Sequence, residues 1–124
     1  MLSNFREFQV GPDPYGRTWN VKLVWLQTAI SIRHSDSVDV KFLVGDGDDK
    51  DEKVIAIMHP KLLELSAKLG RPLNDAWCLK LAAFHLRSLI LTGNDIEKSL
   101  VTMTMEDMER ANRELDSERA TAPA

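Results

Sequence analysis

Between Asn74 and Leu91 the chain carries little besides Ala, Leu, Ile, Phe, Trp and Cys. Asn74 is a good N-cap, Thr92-Gly93-Asn94 closes the segment, and no proline interrupts it, so it reads as one long helix. At about 100° per residue, Lys80 and Arg87 fall on one narrow side with Ser88 nearby, leaving most of the circumference apolar. Such a helix is either central to its own domain or buried against a partner subunit. Small domains seldom surround a helix completely, so the expectation is self-association, a homodimer to which helix 74–91 contributes.

The segments that could pack on this helix are ordered along the chain. From Trp19 to Met58 the pattern is that of strands. Trp19-Asn20-Val21-Lys22-Leu23 alternates, and Val24-Trp25-Leu26 extends it as a more fully buried run. Ala29 to Arg33 and Val38 to Phe42 alternate again, Ser35-Asp36-Ser37 supplies a turn between them, and Lys53 to Ile57 reads as a further strand. Short spacings argue for antiparallel connections, because parallel crossovers need a dozen or more residues. Helices follow at Pro60–Leu69, stopped by Gly70, at Asn74–Leu91, and at Met105–Asp116 behind a capping Thr104. Asp95 to Leu100 is expected to form a further turn, and Val101-Thr102-Met103 a short strand. The fold class predicted is α+β, a small antiparallel sheet of three or four strands over about residues 19–58 covered by C-terminal helices. Residues 1–18 are expected as an N-terminal arm and Gly/Pro turn loop, with Phe5, Phe8 and Val10 in a short docked strand or helical turn. Residues 19–119 form a single domain in this reading, and 120–124 a frayed tail.

Composition excludes several classes. The chain has 124 residues, 44% of them hydrophobic and 28% charged, enough to bury a self-sufficient core of roughly two thirds of its unfolded surface. The net charge of -3 is spread unevenly, with Asp46–Glu52 setting five acids against Lys50 and residues 53–94 net basic. No segment has the Lys and Arg density of a nucleic-acid footprint. Helices 60–69 and 74–91 superficially permit a helix-turn-helix, but the second presents Leu and Ala where a recognition helix needs polar side chains. No nucleic-acid partner is expected. The longest uncharged apolar run, Leu23–Ile32, is about half the ~20 residues that span a bilayer, and no signal peptide is visible. A cytoplasmic protein without a membrane partner is the expectation.

The chemistry-bearing residues mostly have structural explanations. His85 lies on the apolar face of helix 74–91, where a core histidine bonded to a buried partner is the simpler expectation. Cys78, the single cysteine, shares that face but lies about 10.5 Å along the axis, too far for a Cys–His nucleophile pair. The acidic stretch Gly45–Glu52 resembles a calcium loop only at its start. Lys50, Asp51 and Ile57 occupy the fifth, sixth and twelfth positions, so it is expected to be a solvated hairpin loop without metal. Arg33-His34-Ser35-Asp36-Ser37 coincides with a turn and lacks a nucleophile elbow. His59-Pro60 marks a helix start, and no phosphate cradle is present. Val101, Met105, Met108, Asn112 and Leu115 form a stripe expected to pack on the domain itself.

No catalytic residue, cofactor or metal is therefore assigned. The leading expectation is a small non-catalytic protein acting by association, homo-oligomeric through helix 74–91. The alternative is a small-molecule-binding protein or enzyme whose pocket lies between sheet and helices, centred on His85.

Overall fold

The computed structural model describes residues 6–29, 37–46, 49–93 and 98–121. Strands β1 (Glu7–Val10), β2 (Trp19–Ala29), β3 (Ser37–Asp46) and β4 (Asp49–Met58) precede helices α1 (His59–Leu69) and α2 (Asp75–Thr92), then β5 (Leu100–Thr102) and α3 (Met105–Thr121). The class is α+β, with the helices after the main sheet. The sheet has five strands in the order β1-β2-β3-β4-β5, not the three or four expected. It is also mixed, since β5 runs parallel to β4 while the other pairs are antiparallel. β5 overlaps the short strand expected at Val101–Met103, and β1 the segment expected as a docked strand or helical turn. The expected sheet counts neither, because three or four residues carry too little alternation to show what they pair with. The parallel pairing follows from the crossover through α1 and α2, which is long enough to return the chain in the same direction. β1 lies within the segment expected as an arm and pairs along β2 from Glu7↔Lys22 to Val10↔Trp19.

Two local differences have physical causes. The apolar run Leu23–Leu26 is not uniformly buried. The β2–β3 register shifts between Leu23 and Trp25, and Val24 is 47% exposed. This bulge re-phases the strand, so Leu23 opposite Phe42 and Leu26 opposite Val40 both pack against the core. The acidic stretch is not an eight-residue loop. β3 and β4 pair as far as Asp46↔Asp49, with Asp51 opposite Val44 and Glu52 opposite Leu43. Strand pairing has overridden the weak β-propensity of these acids, whose charges at Asp51 and Glu52 stay exposed at the sheet margin. Of the turn expected at Ser35–Ser37 only Ser37 is described, and it opens β3; the alternation from Ile30 to Arg33 and the first residues of the expected turn at Asp95–Leu100 lie outside the described residues, as do 122–124 of the expected frayed tail.

The helices form where their signals stand. Asn74 accepts a hydrogen bond from Trp77 N at 2.8 Å and caps α2, while Gly70 and Gly93 close α1 and α2 in left-handed conformations. Thr104 and Asp107 exchange bonds in a capping box at the start of α3, 3.1 Å for Asp107 N to Thr104 Oγ1 and 2.9 Å for Thr104 N to Asp107 Oδ2. α3 runs past the expected Asp116 to Thr121, because no glycine or proline stops it before Pro123.

The core lies between one sheet face and α2. Val21, Val38, Val40, Phe42, Val44, Ile55 and Ile57 line that face, and α2 touches β1, β2, β3 and β4. On its far side α2 packs against α3, which presents Met108, Ala111 and Leu115 from the expected stripe and its flank. The helix is thus held between sheet and α3, and Trp77, Cys78, Leu79, Leu81 to Leu86, Leu89 and Ile90 are all buried. The apolar circumference that pointed to a partner subunit is covered within one chain.

Candidate functional site

His85 faces α3, not the sheet. It is 3% exposed, and its Nδ1 lies 2.9 Å from Arg110 Nη2. A guanidinium only donates, so Nδ1 is the acceptor and the ring is the neutral tautomer protonated at Nε2. That Nε2 stands 4.0 Å from Asp107 Oδ2, and Arg110 Nη1 stands 3.6 Å from Asp107 Oδ1. The histidine thus links α2 to the first turns of α3. Cys78 is buried, and burial together with the nearby Asp75 charge pushes its thiol up to about 11, so it is no nucleophile at neutral pH.

Other polar clusters also bind elements together. Asn112 Oδ1 accepts from Trp77 Nε1 at 3.1 Å and Arg71 Nη1 at 2.8 Å, and Arg71 Nη2 reaches Asp116 Oδ1 at 2.7 Å. These bonds fasten the α1–α2 connection to α3. Lys53, opposite Phe42 on the covered face, donates from Nζ to Lys98 O at 2.8 Å. Ser37 bonds Asp39 at 3.0 Å, His59 opens α1, and Arg33 to Asp36 lie outside the described residues. Among the described residues no three His, Cys, Asp or Glu side chains gather as metal ligands. No described helix is long and apolar enough to cross a membrane.

The most elaborate cluster is one that sequence reading treated only as turn chemistry. In the loop between β1 and β2, Asp13 is 8% exposed and accepts four hydrogen bonds. Oδ1 takes Tyr15 N at 2.9 Å and Arg17 N at 2.8 Å; Oδ2 takes Trp19 Nε1 at 2.9 Å and Arg17 Nε at 3.2 Å. Burial alone would raise its pKa, but the Arg17 and Tyr15 amides, the Trp19 indole and the Arg17 charge outweigh it and bring the carboxyl to about 2. Backbone bonds from Asp13 N to Arg17 O and from Gly16 N to Asp13 O, at 2.8 and 2.9 Å, complete the turn. Gly11 is required beside it, since a Cβ there would stand 2.8 Å from Thr18 Cα.

This scaffold orients three outward groups. The Arg17 guanidinium lies 5.0 Å from the Trp19 ring and 5.8 Å from the Tyr15 ring. Tyr15 itself is 83% exposed. A cleft of about 310 Å³ separates the loop from the end of α2, lined by Asp13, Pro14, Tyr15, Arg17, Ile90 and Thr92. The signal was legible in principle: an aspartate accepting from the amide two residues on is an Asx turn. The alternation Asp13, Tyr15, Arg17, Trp19 places the remaining partners at even spacing. Comparison with protein-family models, curated proteins and solved structures returns no match for this chain.

Proposed function

We propose that the chain is a non-catalytic protein that works by association, with the β1–β2 loop as its contact surface and a second copy of the chain as its partner. The observation carrying this is Tyr15, 83% exposed on a backbone that Asp13 has already fixed. Association usually loses free energy in ordering loops and rotamer-rich side chains, and a pre-ordered aromatic and arginine avoid much of that loss. Tyr and Arg are also the residues that most often dominate contact energies. Leu91, in the turn of α2 that borders the cleft, is 39% exposed and adds apolar surface at the same end. The groups offering chemistry elsewhere are engaged in holding helices together, His85 by Arg110 and Asn112 by Trp77 and Arg71. Helix α2, covered by the sheet and α3, is not the interface in this proposal.

Light scattering across a hundredfold concentration range tests it. Wild type should move from the 14.0 kDa monomer toward twice that mass, and Tyr15→Ala should stay at 14.0 kDa. A wild-type chain that remains monomeric throughout contradicts the proposal.

A further inference from the structure

The Arg17 side chain is about half exposed (48%), and its Nε is already committed to Asp13 at 3.2 Å. Neither Nη nitrogen hydrogen-bonds another described residue, while the Trp19 and Tyr15 rings hold the guanidinium plane in place. A guanidinium fork fixed at one edge and open at the other matches the two oxygens of a carboxylate. A single arginine on a chain of net charge -3 does not suit a polyanion such as nucleic acid.

The strand register shows where such carboxylates stand on the chain itself. Trp19, the residue Arg17 stacks on, begins β2, and Asn20 pairs with Gly45, which pairs with Lys50. The β1–β2 loop and the acidic end of the β3–β4 hairpin therefore lie at the same end of the sheet, two strands apart. That separation is about 10 Å. Asp49 pairs with Asp46 at the last register position, and Asp51 is exposed two residues on. A positive group and a negative group two strands apart at one end of the sheet make a patch that complements a second copy of itself. A two-fold axis between them brings each arginine to the other copy's Asp51, as an isologous contact requires.

Resting on the association proposed above, we propose that Arg17 of each copy receives the Asp51 carboxylate of its mate. A charge-swap cycle read by light scattering and sedimentation tests this. Arg17→Glu and Asp51→Lys should each weaken the dimer at least ~tenfold, and the double variant should recover most of that loss. Thermal melts establish folding of each variant; Arg17→Lys, which keeps the charge but loses the fork, should weaken the dimer as well. Single variants that dimerise like wild type, or a double variant no tighter than the singles, overturn the acidic contact. If Tyr15→Ala still dissociates the dimer in that assay, the loop remains the interface and only its chemistry is wrong. A wild-type monomer overturns both.

Discussion

Asp13 turns a loop containing two prolines and two glycines into a fixed platform by accepting four hydrogen bonds on one buried carboxylate. The bonds require the ionised form, and this gives the loop a pH signature. The folded carboxyl titrates at about 2, below the usual aspartate value near 4. Its contribution to stability is therefore fully present above about pH 4 and is lost as pH falls through about 2. Urea unfolding of wild type and Asp13→Asn between pH 7 and 2 should show the variant less stable at neutral pH. The gap should close on acidification, and a gap that stays constant would show that the charge does not hold the loop. Prolines and glycines announced a turn here, but not its rigidity. That depends on Trp19 and Arg17 folding back onto Asp13, a tertiary arrangement that local pattern reading does not reach.

At the scale of elements, α2 was the most legible feature and its environment the least. Its N-cap Asn74, its end at Gly93 and its apolar circumference were readable from residue order. What covers it was not, because α3 reads as an ordinary amphipathic helix and nothing local says that it closes over α2 on the side away from the sheet. The Val24 bulge was hidden for a related reason, since four consecutive apolar residues look the same whether buried or re-phased. The acidic end of β4 was read as loop because charge suggested solvent, and Asp51 and Glu52 are indeed exposed while hydrogen-bonded in a strand. Leu81 is fully buried inside the chain, so Leu81→Asp should unfold the protein, costing more than about 4 kcal/mol, and should not yield a folded monomer. Circular dichroism distinguishes these outcomes. His85→Ala should cost about 1–3 kcal/mol by removing the acceptor of Arg110 and leaving a void between α2 and α3. A denaturant melt within a few tenths of a kcal/mol of wild type would contradict a structural role.

For the whole molecule, the sheet has one face covered by α1 and α2, with α3 closing over α2 on the side away from the sheet. The order of strands before helices predicted helices over the sheet but not which element covers α2, and the expected sheet omits the short segments at β1 and β5. Because the chain buries its most apolar helix internally, the proposed association is placed on the outside, at the sheet end that carries both the β1–β2 loop and the Asp51 strand end. The most direct measurement is native-state hydrogen exchange on the Tyr15→Ala protein, in which the proposed contact is removed, over a hundredfold concentration range. Amides from Leu79 to Leu86 should be among the slowest in the chain and exchange at the same rate at every concentration. Protection in that segment that falls on dilution would mean that α2 depends on a partner for its cover.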